Sequence, residues 1–187
     1  MAKEPSGVVW VERFPTSRKT DSLVPDFRDR CDDFLGALQD AGAEVTINAT
    51  LRPPERAYLM HWSFVLNKGD VEPDDIPPHP GVDIEWVHRK ANGAADFATS
   101  RAAAAAMVDA YGIVHPPSLT SLHIFGKAID MSISWDGTLQ IKPKGKPKKS
   151  IASAPRSGLN HDLWAVGASY GVLKLPSDPP HWSSTGH

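Results

Sequence analysis

Apolar side chains recur every three to four residues in four segments of the chain and alternate with polar ones in several shorter segments. The first spacing predicts helices, because it places the apolar side chains on one face of a helical turn. Helices are predicted over 25–41, 53–66, 94–111 and 160–170. Alternation with β-branched residues predicts strands. The predicted strands are 8–13, 44–51, 127–135, 138–141 and 172–175.

Turn-forming residues separate these segments. Asp136-Gly137 is typical of a tight hairpin, so the strands 127–135 and 138–141 are expected to pair. The Pro- and Asp-rich stretch 70–80 predicts an irregular surface loop. Residues 142–149 contain five Lys, two Pro and one Gly, which predicts a solvated loop.

Composition limits the class of protein. A chain of 187 residues with 41% hydrophobic and 22% charged residues is typical of one globular domain. A net charge of −2 gives no general attraction to nucleic acid or anionic membrane. Cys31 is alone, so no intrachain disulfide is expected. No apolar run approaches the roughly 20 residues of a membrane span, and the first residues lack the apolar core of a signal peptide. We therefore expect synthesis in the cytoplasm and no membrane insertion.

Candidate chemistry lies in two clusters of the second half. The first is Ser121-Leu-His123-Ile-Phe-Gly126-Lys-Ala128-Ile-Asp130, and the second is Asp178-Pro-Pro-His181-Trp182. A His and an Asp seven residues apart arise by chance about 0.7 times in a chain of this composition, so the pair alone means little. Together the clusters supply three candidate ligands and one further carboxylate, which is the inventory of a catalytic zinc site.

Four residues in or near these motifs have both a functional and a purely structural interpretation. Asp178 would accept a proton as general base, or it is a turn-forming Asp before Pro. Arg52 follows a predicted strand and can bind a carboxylate, or it is an exposed Arg; Arg56 is a rival for the contact. Gly126 leaves room beside a metal, or it forms a tight turn. Trp182 lies beneath the His181 imidazole, or it fills the core.

The two clusters resemble the M15 family of zinc peptidases. The likeness rests on the Ser-x-His-x-x-Gly-x-Ala-x-Asp pattern of residues 121–130 and on a carboxylate three residues before His181-Trp182. The upstream Thr-Leu-Arg-Pro of residues 50–53 is similar to a strand-end Arg motif of that family. The family comprises D-alanyl-D-alanine carboxypeptidases and dipeptidases and phage endolysins that cut L-alanyl-D-glutamate bonds. The resemblance covers roughly residues 45–67 and 115–183.

The resemblance implies an α+β fold with a small antiparallel sheet flanked by helices, and Zn²⁺ at the sheet. Carried over by position, the zinc ligands are His123, Asp130 and His181. Asp178 is the catalytic base, Arg52 contacts substrate, and Ser121 lies beside the site and binds substrate. Many members of the family carry Glu where this chain has Asp178. The distance in sequence from Arg52 to His123 is also long, which suggests an inserted segment.

These observations lead to one main hypothesis and two alternatives. We expect a single catalytic domain over 1–187, with a possible inserted loop around 68–93 and a mobile Lys-rich hairpin loop at 142–157. The expected enzyme is a monomeric zinc peptidase that hydrolyses stem peptides of bacterial peptidoglycan after release or specialised export. One alternative is a non-catalytic zinc module that binds wall fragments or a protein partner. A nucleic-acid contact through the Lys-rich loop is disfavoured by the net charge and by the absence of interleaved aromatic residues.

Overall fold

A computed structural model describes residues 3–187 and divides the chain into two compact units. The first unit contains the residues up to Pro15 together with Pro53–Ser121. The second contains Thr16–Arg52 and Leu122–His187. The segment 68–93 is thus part of a larger unit. The expectation that the whole chain acts as one catalytic domain stays a prediction.

The described part of the chain contains four α-helices and eight short strands. The helices are α1 (Pro25–Asp40), α2 (Pro54–Lys68), α3 (Phe97–Tyr111) and α4 (His161–Ser169). The strands are β1 (Glu4–Pro5), β2 (Glu44–Ala49), β3 (Ile84–Glu85), β4 (Ala128–Ser134), β5 (Leu139–Ile141), β6 (Lys149–Ile151), β7 (Leu173–Lys174) and β8 (His181–Ser183). All four predicted helices are present, with their ends shifted by a few residues. Among the described residues, no helix is long and apolar enough to cross a membrane.

The first unit is built on the packing of α2 against α3. Its core is aromatic and aliphatic, and β1 pairs with β3 in parallel. The larger buried side chains are Trp10, Tyr58, Leu59, Leu66, Trp86 and Met107. Gly69 and Gly112 end the two helices in the left-handed conformation, and the Asp96 carboxylate caps α3 by accepting from the Thr99 N–H.

The strand predicted over 8–13 is wrong. Val8–Trp10 forms a 3-10 helix, in which the Trp10 and Val11 N–H groups donate to the Gly7 and Val8 carbonyls. Trp10 is buried, whereas Val8 and Val9 are more than half exposed. The apolar run therefore contributes one buried indole instead of the alternating face that a strand would present.

The second unit contains an antiparallel sheet in the order β2-β4-β8-β7. The helix α1 contacts β2, and α4 contacts β7. Along β4, Ile129, Met131 and Ile133 enter the core, so the alternate residues Asp130 and Ser132 lie on the opposite face. The expectation of an α+β fold with a small antiparallel sheet is confirmed for this unit.

The hairpin predicted at Asp136-Gly137 is absent. β4 is paired with β2 on one side; on the other, β8 pairs with Ala128–Asp130, and residues 157–158 bond to Ile133 and Ser134 where a hairpin partner would lie. Instead, β5 pairs with β6, and Leu139 lies opposite Ile151. The predicted Lys-rich loop 142–157 therefore contains a strand, Lys149–Ile151; the mobility of this segment stays a prediction. β8 was not predicted, because three residues are too few to show alternation.

Trp182 fills the core of the second unit. It is fully buried and lies on the face of the sheet opposite to His181, with its ring 5.5 Å from the ring of Phe34. Gly167 of α4 makes this packing possible. A Cβ at that position would lie 2.6 Å from the Trp182 ring and 2.8 Å from the Val172 carbonyl oxygen. Trp182 is thus core filling and not a support beneath the His181 ring.

This packing gives a prediction about two helical glycines. Gly36→Ala in α1, where a Cβ meets nothing within 4 Å, should stabilise the fold by about 0.5–1 kcal/mol. Gly167→Ala should instead destabilise it by about 1–3 kcal/mol, because overpacking exceeds the gain in helix propensity. Urea unfolding followed by circular dichroism measures both changes. Equal stabilisation by the two substitutions would contradict the close approach of α4 to Trp182.

Candidate metal centre

Three side chains that lie far apart in sequence converge in the second unit. His123 Nε2 is 3.1 Å from Asp130 Oδ1, and His181 Nδ1 is 3.2 Å from the same oxygen. The two ring nitrogens are 3.2 Å apart. Both imidazoles are buried, and the Asp130 side chain keeps 17% of its surface exposed. The structure therefore brings together the three metal ligands expected from the sequence.

The sheet places two of these side chains. Asp130 on β4 lies directly opposite His181 on β8, and paired residues of adjacent strands project to the same face. Asp130 is partly buried and lies between two buried residues, and from Asp130 onward buried side chains alternate with more exposed ones along β4. The residues of β4 and β8 that point into the core hold this register, since a slip of one residue would place Asp130 in the core.

A tight turn places the third side chain. Residues 122–127 form consecutive turns before β4, closed by hydrogen bonds from the Gly126 N–H to the His123 carbonyl and from the Lys127 N–H to the Leu122 carbonyl. Gly126 adopts a left-handed conformation with φ of 62°. A Cβ there would lie 3.2 Å from backbone atoms of Ser22 and Val24. Gly126 is therefore needed for the turn and for close backbone packing.

The outer nitrogen of each imidazole contacts a backbone oxygen. His123 Nδ1 is 2.6 Å from the Thr50 carbonyl oxygen, and His181 Nε2 is 3.2 Å from the backbone oxygen of His187. Because a carbonyl oxygen only accepts, each of these nitrogens carries the hydrogen. The other nitrogen of each ring, His123 Nε2 and His181 Nδ1, faces Asp130 and would carry the lone pair that a metal binds. Such outer hydrogen bonds typically orient histidine ligands in metal sites.

The Asp130 carboxylate is the anionic group of the cluster. Burial raises the pKa of Asp130, but hydrogen bonds and charge interactions with His123 and His181 outweigh this effect and hold its pKa well below the usual range. Asp130 is therefore a carboxylate, and one ring nitrogen of each histidine lies 3.1–3.2 Å from its Oδ1. A bound cation would replace the histidine hydrogens as the positive partner of this carboxylate. The cluster of His123, Asp130 and His181 can thus hold a metal ion.

Arg52 is attached to the centre through its backbone. The Arg52 N–H donates to the His123 carbonyl at 3.1 Å. Two residues earlier in the chain, the Thr50 carbonyl accepts from the His123 imidazole. The strand-end segment 50–52 therefore holds His123 from two sides. Arg56, the rival for substrate contact, belongs to the first unit. There its guanidinium donates to the Val11 carbonyl at 2.8 Å and lies over the Tyr111 ring.

The two remaining candidates lie outside the cluster. Asp178 is exposed, three residues before His181, and is not among the grouped ligands. Its carbonyl accepts from the His181 N–H at 3.1 Å, which forms the turn that the plainer interpretation expected. Ser121 ends the first unit, where its N–H donates to the Ser118 carbonyl. Catalysis by Asp178 and substrate contact by Ser121 stay predictions.

Three contributors to the centre were missed by sequence reasoning. Thr50 and His187 act through backbone oxygens, which every residue type carries, so their identities gave no signal. The third is Lys174, whose buried ammonium contacts the backbone beside His181. A single Lys within the apolar run Val172–Leu175 was a signal that could have been used.

No protein-family model matches this chain, and no curated protein is significantly similar to it. The metal centre therefore rests on its own geometry and on the motifs that carry it.

The central carboxylate gives a direct test of metal binding. Wild-type protein should bind one divalent ion per chain, measured as Zn²⁺ or Co²⁺ competed against a chromogenic chelator. Asp130→Asn should weaken binding by at least about 100-fold, since it removes the only anionic ligand of the cluster. Asp136→Asn, an exposed position in the same unit, is the matched control and should bind as wild type does. Equal affinities of all three proteins would place the metal elsewhere.

Proposed function

We propose that this protein is a zinc-dependent peptidase that hydrolyses the stem peptides of bacterial peptidoglycan. The observation that carries the proposal is the convergence of His123, Asp130 and His181 on one face of the sheet. Its support from sequence is the resemblance of the two motifs to zinc peptidases of the bacterial cell wall. The bond that is cut is of the L-alanyl-D-glutamate or the D-alanyl-D-alanine type.

Zinc suits the observed donor set. Two imidazoles and one carboxylate are typical of catalytic zinc sites, which keep a position open for water or substrate, whereas structural sites are closed by a fourth protein ligand. Ligands about 2.0–2.1 Å from a tetrahedral zinc ion lie about 3.3 Å from one another. The donor atoms here are 3.1–3.2 Å apart. The spacing of the three ligand atoms therefore supports zinc as the metal.

The residues of the chain have separable roles in the proposed reaction. His123, Asp130 and His181 would hold the zinc ion, and the backbone oxygens of Thr50 and His187 would keep the two rings oriented. When bound, zinc polarises a carbonyl and lowers the pKa of water to about 7. Asp178 would accept the proton released from the attacking water at its carboxylate and deliver it to the amine that leaves.

Arg52 would position the substrate. Stem peptides carry carboxylates, and a guanidinium binds a carboxylate through two parallel hydrogen bonds. The backbone bond between Arg52 and the His123 carbonyl ties this residue to a metal ligand. A substrate held by Arg52 would therefore keep a fixed relation to the metal, which lowers the entropy that must be lost at reaction.

A second candidate function is a zinc module that binds wall fragments or a protein partner without catalysis. The observation that favours it is the position of Asp178, which is exposed and outside the ligand cluster. A binding module needs the ligands but no base. The two functions therefore differ in what the Asp178 carboxylate does.

Replacement of the candidate base separates the two functions. Asp178→Asn should keep zinc affinity and lower the rate of stem-peptide hydrolysis by about 10²- to 10⁴-fold, the usual contribution of a general base. Asp178→Glu should retain activity, because it keeps a carboxylate on a longer side chain. Asp136→Asn is the control for loss of an exposed carboxylate. Unchanged hydrolysis by zinc-loaded Asp178→Asn would show that the assigned mechanism is wrong.

Product analysis tests the reaction itself. Purified peptidoglycan is digested with zinc-loaded wild-type protein, and the new termini are identified by mass spectrometry. A new N-terminal D-glutamate indicates endopeptidase cleavage, and free D-alanine indicates carboxypeptidase cleavage. If neither product forms, the peptidase proposal fails and the binding module remains.

Substrate charge tests the role of Arg52. Stem-peptide analogues that differ only as carboxylate and carboxamide are compared by kcat/KM. Wild type should prefer the carboxylate by about 10- to 100-fold, the usual value of a hydrogen bond to a charged group. Arg52→Gln should lose this preference, whereas Arg18→Gln, at an exposed position of the same unit, should retain it. A preference that survives in Arg52→Gln assigns the substrate carboxylate to another residue.

A further inference from the structure

One charged side chain of the second unit is buried against the turn that joins the last two strands. Lys174 lies on β7 opposite Trp182 of β8 and is 8% exposed. Its Nζ is 5.7 Å from the centre of the Trp182 ring. A buried ammonium is costly unless its hydrogens are all bonded, so its partners indicate what it does.

The ammonium is bound by three carbonyl oxygens of a single turn. Lys174 Nζ donates to the carbonyls of Leu175 and Asp178 at 2.5 Å each and to the carbonyl of His181 at 3.0 Å. An ammonium has three hydrogens, so each has its own acceptor. The three oxygens also accept backbone N–H groups in a closed cycle: Asp178 donates to Leu175, His181 to Asp178, and Leu175 to His181.

The bound turn joins the two residues that the proposed reaction requires. Residues 175–181 begin after β7, pass through the exposed Asp178 and end at the metal ligand His181. The pairing of β8 with β4 and the bond from the Met131 N–H to the Pro180 carbonyl hold His181 from one side. Asp178 has no strand partner. Its backbone is held by the turn itself and by Lys174.

The convergence of three carbonyl oxygens requires a positive charge between them. The Lys174 ammonium supplies it. Without the cation, three carbonyl oxygens would converge with no positive charge between them and would repel one another. The turn would then open, and Asp178 would move relative to the cluster.

We infer that Lys174 is a positioning residue, which fixes the turn 175–181 so that His181 and Asp178 stand in a set relation to the metal. Lys174 is not one of the three candidate ligands, and it acts through the backbone on both sides of the Pro179-Pro180 pair. The inference rests on the proposed function in taking zinc as the metal and Asp178 as the base, and its test does not need catalysis.

Removal of the ammonium tests the inference. Lys174→Met keeps the length of the side chain and should weaken Zn²⁺ binding by about 10- to 100-fold, the usual effect of a partner that orients a ligand. In hydrogen exchange, loss of amide protection should be confined to residues 175–181. Lys174→Gln restores two donors and should give an intermediate affinity. Lys149→Met, which removes a surface ion pair with Asp162, should bind Zn²⁺ as wild type does.

The outcomes separate this inference from the proposed function. A folded Lys174→Met protein with wild-type Zn²⁺ affinity, wild-type Co²⁺ absorption and a protected turn would overturn the positioning role, whatever the protein cleaves. Reduced affinity in Lys174→Met would support the role even if wild type released no stem-peptide product.

If Lys174→Met does not fold, the wild-type protein still provides a test. In ¹⁵N NMR, the Lys174 ammonium should exchange its hydrogens slowly, because all three are bonded and buried, and its resonance should shift when Zn²⁺ is added. The exposed lysines should show neither property. An ammonium that exchanges as fast as theirs, or that does not respond to Zn²⁺, would contradict the inference.

Discussion

The pairing of β4 with β8 is the interaction on which the candidate metal centre depends. Its register sets Asp130 opposite His181 and, one residue along each strand, Ile129 opposite Trp182. One face of the two strands therefore carries the ligands, and the other carries the core. The free energy of burying Trp182 and Ile129 keeps the Asp130 carboxylate and the His181 imidazole side by side.

The rest of the second unit supports this pairing from its two ends. At the beginning of β4, the turn with Gly126 returns the chain so that His123 completes the cluster, and the segment 50–52 fixes its ring and its carbonyl. Before β8, the turn 175–181 is closed around the Lys174 ammonium. The first device uses backbone groups of residues 50–52, and the second uses backbone carbonyls that the Lys174 ammonium binds. Such support restricts the ligands to one arrangement, as a metal site requires.

The candidate metal ligands and the residues proposed for catalysis are positioned in different ways. The three ligands are buried or half-buried and mutually in contact, whereas Asp178 and Arg52 lie next to ligands in the chain or in the backbone hydrogen-bond network. The capacity to hold a metal ion therefore follows from contacts within the cluster. The proposed reaction would depend on side chains whose positions are set through the backbone, by the Lys174 ammonium and by the Arg52 N–H.

Sequence alone determined the elements with long periodic patterns and the residue types that could bind a metal. The helices over 25–41 and 94–111 and the alternation of β4 were predictable, because an apolar face repeats through each of them. The motifs supplied His123, Asp130 and His181 through the resemblance to a family. The strand expected at 8–13 failed because a short apolar run does not distinguish a strand from one buried indole. The hairpin at Asp136-Gly137 failed because pairing depends on which edges of β4 are already occupied. Only the tertiary structure decided the opposition of Asp130 and His181, the outer hydrogen bonds from the imidazoles and the burial of Lys174. Each of these three features is a contact between distant segments or with a backbone oxygen. Contacts of both kinds leave no pattern in the order of the side chains.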